Sequence, residues 1–304
     1  FEGSANSSFY NGFGNPDTQQ FGSNLSAQYA PGNANGYPDK AETDGVIGKV
    51  TYSWKPSEDK MYYVTWSEGF RPGLLNRPVG RTSADGSYSV PPSVDSDEIT
   101  NWEFGWKNVL RDGRLRFNGS IFRVDVSGLQ STIFDPSIVN LFFSDNAADA
   151  EIKGVEGDFI YYTDGGFILS GAFSMLDTEI TKSLIPTGDI VVGQELAFAP
   201  GYQANISGRK EWTMEGGNTG FWQLQFSMSD KSYSDIMQPN RAVQDSYNLT
   251  NLRAGISSDD WTAEMYVDNV TDERAEISNT FVFDRQRVAV IRPMTVGLRY
   301  KLKF

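Results

Sequence analysis

From residue 46 onward, apolar and polar residues alternate with a period of two. Val46, Gly48, Val50, Tyr52 and Trp54 interleave with Ile47, Lys49, Thr51, Ser53 and Lys55. Tyr202, Ala204 and Ile206 alternate with Gln203, Asn205 and Ser207; Trp222, Leu224, Phe226 and Met228 alternate with Gln223, Gln225 and Ser227. Met294, Val296, Leu298, Tyr300, Leu302 and Phe304 alternate with Thr295, Gly297, Arg299, Lys301 and Lys303. Successive side chains of an extended chain point to opposite faces, so each run gives a sheet one apolar and one polar face. No stretch has a clean helical period, and the chain reads as all-β. Eleven strands are predicted, at 46–55, 60–70, 98–109, 114–127, 148–162, 167–178, 201–212, 220–229, 246–256, 261–269 and 290–304. Strand 114–127 changes phase near Phe122, which predicts a bulge.

The connections between these strands alternate in length. Short ones fall at 56–59, 110–113, 163–166, 213–219 and 257–260, and long ones at 71–97, 128–147, 179–200, 230–245 and 270–289. An up-and-down antiparallel sheet has this pattern when its short turns lie at one end and its long loops at the other. Outer-membrane barrels are built so, with short periplasmic turns and long outer loops. Aromatics near the strand ends (Trp54, Tyr62, Tyr63, Trp66, Trp102, Trp106, Tyr161, Tyr162, Trp212 and Trp261) suit an interfacial girdle. The polar faces carry amides rather than dense charge, as a hydrated lumen would. A soluble or surface β-sandwich binding carbohydrate is the other reading that alternation permits.

Residues 1–45 are rich in Gly, Asn, Ser, Gln and Pro and read as a long extracellular loop. The first methionine is Met61, and no basic, then apolar, leader is visible. Strands 46–55 and 290–304 run in the same direction, so closing these eleven into a barrel would pair the two in parallel. Single-chain bacterial barrels are antiparallel. The expectation is therefore an odd number of further strands upstream, with this chain the C-terminal part of a larger barrel.

Composition narrows the chemistry. The 304 residues contain no Cys and no His, and 26 Lys+Arg stand against 39 Asp+Glu for a formal charge of −13. This removes disulfides, thiolate–metal sites, thiol nucleophiles and Ser-His catalysis. A membrane-embedded hydrolase thereby loses its usual base. The acidic balance excludes nucleic acid as a partner, because phosphates need basic patches. No catalytic residue, metal site or cofactor is implied.

Four stretches resemble the TonB-dependent outer-membrane receptors. They are Tyr62-Tyr63-Val64-Thr65-Trp66-Ser67-Glu68-Gly69-Phe70-Arg71-Pro72-Gly73; Trp102-Glu103-Phe104-Gly105-Trp106-Lys107 with Arg116-Phe117-Asn118; Asn146 to Gly157; and Val267-Asp268-Asn269-Val270-Thr271-Asp272 with Thr295 to Tyr300 and Phe304. The resemblance implies an antiparallel transmembrane barrel of about 22 strands with an N-terminal plug, of which these are about 11 C-terminal strands. It also implies energy-coupled import of a scarce, bulky ligand, with a ferric siderophore or other iron complex as the default and an oligosaccharide as the alternative. The implied partners are the TonB-ExbB-ExbD complex acting through the plug, outer-membrane lipid and lipopolysaccharide, and the barrel assembly machinery.

Candidate ligand contacts are Arg71, Asn76, Arg77 and Arg81 in one loop and Tyr233, Gln238, Asn240 and Arg241 in another. Tyr300, Leu302 and the terminal Phe304 resemble an assembly signal. Gly69 and Gly73 flank Pro72 and are expected to take unusual backbone angles where the strand leaves the sheet. Asn269 and Asp272 read as turn formers, and Glu156 as a carboxylate on the lumen wall.

Overall fold

A computed structural model describes residues 41–76, 80–135, 137–282 and 285–302. The predicted loop 1–45 therefore lies almost entirely outside the described residues. Eleven strands form one antiparallel sheet: β1 (Lys49–Ser57), β2 (Lys60–Arg71), β5 (Asp97–Leu110), β6 (Leu115–Asp135), β7 (Val139–Tyr162), β8 (Phe167–Ser183), β9 (Tyr202–Thr213), β10 (Thr219–Ser229), β13 (Tyr247–Ser257), β14 (Trp261–Asp268) and β17 (Thr295–Leu302). Each pairs with its neighbours in chain order, so β1 and β17 are the two edges. Three small hairpins sit in the long connections: β3 (Leu74–Leu75) with β4 (Ser93–Val94), β11 (Ser232–Tyr233) with β12 (Val243–Gln244), and β15 (Glu276–Val282) with β16 (Arg285–Val290).

Two boundaries differ from expectation. The segment 128–147 is not a loop: β6 and β7 continue through it as a paired hairpin that projects past the rest of the sheet. Residues 285–290 belong to the β15–β16 hairpin, and the last strand of the large sheet begins only at Thr295. Pro293 explains the late start, since it has no amide to give to a ladder.

One face of the sheet is apolar and open from edge to edge. Val50, Tyr52 and Trp54 on β1 stand beside Val64 on β2, Trp102 and Phe104 on β5 and Ile121 on β6. The band continues through Met175, Ile206, Leu224, Leu252, Met265 and Leu298, all at least two-fifths exposed. An exposed apolar band of this extent, backed by a polar face, is the surface a barrel wall turns to lipid. A soluble sandwich would turn that face inward, and these eleven strands lie in one sheet that nothing covers among the described residues. Most of the aromatics expected in a girdle lie on this face, but Tyr63 and Tyr162 alternate onto the other.

The opposite face is a lattice of polar pairs. Asn205 donates to Ser227 Oγ at 2.6 Å and Gln223 to Ser207 Oγ at 2.9 Å; Asn118 reaches Asp158 at 3.2 Å and Arg299 reaches Glu264 at 3.1 Å. Tyr63 donates to Glu103, and its ring lies across Gly105, where a Cβ would come within 2.2 Å of it. Glu156 stands on this face as expected and accepts from Ser120 Oγ at 3.3 Å.

The phase change near Phe122 is not a bulge. Pairing of β6 with β5 runs unbroken from Leu115 to Ser127, and the first register shift against β7 falls between Val126 and Leu129. What changes at Phe122 is the surroundings of each face. On the lipid-side face, Phe117 and Ile121 give way to Arg123 and Asp125; β7 passes from Val155 to Lys153 and Glu151, and β8 from Met175 to Asp177 and Glu179. These charges pair laterally, Arg123 with Glu151 at 2.6 Å and with Asp125 at 3.1 Å, and Lys153 with Glu151. On the other face, Asn118 and Ser120 give way to Phe122, Val124 and Val126. The strands leave lipid on one side as they enter a loop-covered core on the other.

Candidate functional site

That core lies at the long-loop end. Three connections fold over the polar face there and bury Tyr88 and Val90, Ile185 and Ile190, and Ile236 and Met237 against Val126, Ala150 and Ile180 of the strands and Ile133 and Phe143 of the projecting hairpin. Apolar burial thus fixes loops that their sequence alone would leave free.

The first loop group divides. Arg71 forms a forked pair with Asp97, donating from Nε at 2.8 Å and also from Nη2, and Nη2 reaches the Gln130 carbonyl at 3.2 Å. Asp97 is only 1% exposed and also accepts from the Gln130 amide at 3.2 Å. Arg71 therefore ties together the ends of β2, β5 and β6. Asn76 is buried and spends its amide on the chain: it donates to the Pro91 and Ser144 carbonyls at 3.0 and 2.7 Å and accepts from the Ser144 amide at 2.8 Å. Arg81 is exposed, and Arg77 lies outside the described residues. Gly69 and Gly73 do not have positive φ. Gly73 is required instead by close approach, since a Cβ there would meet the Val94 carbonyl at 2.3 Å.

The second group is brought together. The Arg241 guanidinium lies 3.8 Å over the Tyr233 ring and donates to the Asp235 main-chain carbonyl at 2.7 Å. Lys231 donates to the Tyr233 hydroxyl at 3.2 Å. Gln238 contacts Gln194 of the neighbouring loop, and Asn240 donates to the Phe134 carbonyl at 2.9 Å, clipping this loop to the β6–β7 hairpin. Burial pushes the Arg241 pKa down and the Asp235 carboxyl up.

Between these pieces lies a cavity of about 350 Å³, lined among others by Phe134, Phe142, Phe198, Asp235, Ile236 and Asn240. Of its residues the sequence marks only Asn240 as a candidate contact. Phe134, Phe142 and Asp235 fell in stretches read as loops, where no periodicity marks which side chains meet. At the far end of β14, Asn269 and Asp272 have φ of 54° and 51°. Asn269 bonds both the amide and carbonyl of Glu273, the pairing a turn former makes.

A single antiparallel sheet with one lipid-facing surface, one polar surface, short turns at one end and packed loops at the other defines an outer-membrane β-barrel wall. The family model "TonB dependent receptor-like, beta-barrel" matches residues 6–270, and the chain belongs to this family of outer-membrane receptors, which are not enzymes. Its sequence is 26% identical over 157 residues to the "Probable TonB-dependent siderophore receptor PiuA" of Acinetobacter baumannii, covering 51% of this chain and 20% of that protein. The fold is similar to the ferric yersiniabactin uptake receptor FyuA of Yersinia pestis, with a TM-score of 0.67 and 17% identity over 85% of this chain and 37% of that one. It is also similar to the solved PiuA structure, at TM-score 0.61 and 18% identity over 83% and 35%. The chain thus spans about a third of the length of the solved structures it matches.

Proposed function

We propose that the intact protein imports a scarce, bulky ligand across the outer membrane, a ferric siderophore or other iron complex, with energy from the TonB-ExbB-ExbD complex delivered through a plug. Residues 46–304 are the C-terminal half of a barrel of about 22 strands. Tyr233, Gln238, Asn240 and Arg241 belong to the ligand vestibule. Arg71 and Asn76 hold its wall, and Arg81 extends its rim; the same role is proposed for Arg77, which lies outside the described residues. Tyr300 and Leu302, exposed on the lipid face, act with Phe304 as the signal for the barrel assembly machinery, and the charged rim above the apolar band meets lipopolysaccharide. The observation that carries the reading is the loop-packed cavity on the polar face, at the end remote from the short turns, in a chain of this family. Of the named relatives, PiuA is a siderophore receptor and FyuA a ferric yersiniabactin uptake receptor.

The test is uptake of radio-iron complexes by cells expressing the intact receptor, with and without TonB. Uptake that needs both proteins supports the reading. Equal uptake without TonB, or no receptor-dependent uptake of any iron complex, overturns it.

A further inference from the structure

The vestibule is acidic, and its cations are already engaged. Asp235 lines the larger cavity beside Phe134, Phe142, Phe198 and Ile236. Its carboxylate accepts from the Met237 amide at 2.9 Å and from the Ile236 amide and feels the nearby Arg241 charge, but it forms no direct ion pair among the described residues. Arg241 donates instead to the main-chain carbonyl of Asp235 and lies on the Tyr233 ring, which Lys231 also contacts. Beyond Phe198 a second cavity of about 130 Å³ continues the space, lined in part by Asp230, Asp245 and Glu276. Phe198 lines both cavities, is 50% exposed and has a φ of 54°. A bulky residue rarely takes that conformation, and here the residue that takes it lines both spaces.

These features select a ligand by chemistry. Phe142, backed by the buried Phe134, and Phe198 offer apolar faces to an aromatic or acyl body and negative quadrupoles to a cation. The carboxylates set a negative potential that repels anionic ligands and draws in cations. Burial raises the Asp235 pKa, the signature of a carboxylate whose lost hydration is incompletely replaced. A cationic group placed beside it would replace that hydration.

We infer that this double cavity binds ligands carrying a protonated amine or guanidinium next to an aromatic or other apolar body, with Asp235 as the counter-ion and Phe142 and Phe198 as the walls. The inference deepens the proposed import function by naming the ligand class, and it rests on that reading only for the iron.

The experiment uses the intact receptor, purified into nanodiscs, and two sets of probes. The first set is dansylcadaverine and dansylglycine, which share an aromatic body but end in an ammonium and a carboxylate. Wild type should bind dansylcadaverine at least about ten-fold more tightly. Asp235→Asn keeps the acceptor for Met237 and should abolish that preference, whereas Phe142→Ala should weaken dansylcadaverine binding without reversing the preference. The second set is the ferric complex of desferrioxamine B, which has a pendant amine, with its N-acetyl and N-succinyl derivatives. Their affinities should fall in that order, and the order should flatten in Asp235→Asn.

Equal or stronger binding of dansylglycine, or a preference unchanged in Asp235→Asn, overturns the inference while leaving iron import standing. Preference for dansylcadaverine with no binding of any iron complex supports the site and counts against the import reading. Circular dichroism and heat-modifiable gel migration of each variant verify that the barrel is folded.

Discussion

Replacing Arg71 with Ala in the intact receptor separates a latch in the barrel wall from a ligand contact. The guanidinium gives Asp97 two hydrogen bonds and the Gln130 carbonyl a third. After truncation the carboxylate, 1% exposed, keeps two main-chain donors among the described residues, the amides of Arg71 and Gln130 at 3.1 and 3.2 Å. Breaking a fully buried ion pair costs about 3–5 kcal/mol, because it leaves a charge without a partner. The Arg71 side chain is 54% exposed, so water screens part of the interaction. The expected loss is therefore about 2–3 kcal/mol, local to the ends of β2, β5 and β6. That corresponds to roughly 30- to 150-fold faster hydrogen exchange at the Gln130 amide where local opening controls it. Protease cleavage within 72–96 should rise in parallel. Arg71→Ala combined with Asp97→Asn removes the stranded charge and should recover most of the protection. If Arg71→Ala leaves exchange and cleavage unchanged while ligand affinity falls, the guanidinium serves the ligand and the latch argument is wrong.

Three further outcomes are expected. Gly105→Val should sharply lower the yield of heat-modifiable barrel, because its Cβ would clash with the Tyr63 ring; adding Tyr63→Ala should restore part of it, and no loss in the single variant would show that the wall yields. Leu298→Arg, at a position 84% exposed on the lipid face, should cost about 2–4 kcal/mol if it lies near the bilayer midplane, read as reduced outer-membrane abundance beside a Leu298→Ile control. In the 81–89 loop, Asp85 accepts hydrogen bonds from Ser83 and Ser87 hydroxyls and the Ser87 amide, chiefly the first, and its pKa falls from 3.8 to about 2. A depressed carboxyl pKa gives stability that is complete above 3.8 and lost as pH falls through about 2, so the Ser87 amide should stay protected at pH 5 and lose protection between those values; loss already at pH 5 would contradict this.

Period-two alternation determined the eleven strands and their sequential order, because a sheet against lipid must keep one face apolar at every second residue. Val50, Leu224 and Leu298 are therefore readable without coordinates. Alternation could not reveal that β6, β7 and β8 cross from one environment to another. At Phe122 and Arg123 the residue types exchange faces while the hydrogen-bond register continues, so a change of surroundings looks in sequence like a slipped strand. It also could not reveal the partner of Arg71, since Asp97 lies 26 residues away across a long connection. Tyr233, Gln238, Asn240 and Arg241 stand out in sequence as candidates because they are close together and chemically rich. Asp235, Phe142 and Phe198 come from three separate segments, and what they form depends on which loops are buried together. Burial of Ile185, Ile236 and Met237 against the strands decides that, and loop residues carry no periodicity from which such burial can be read.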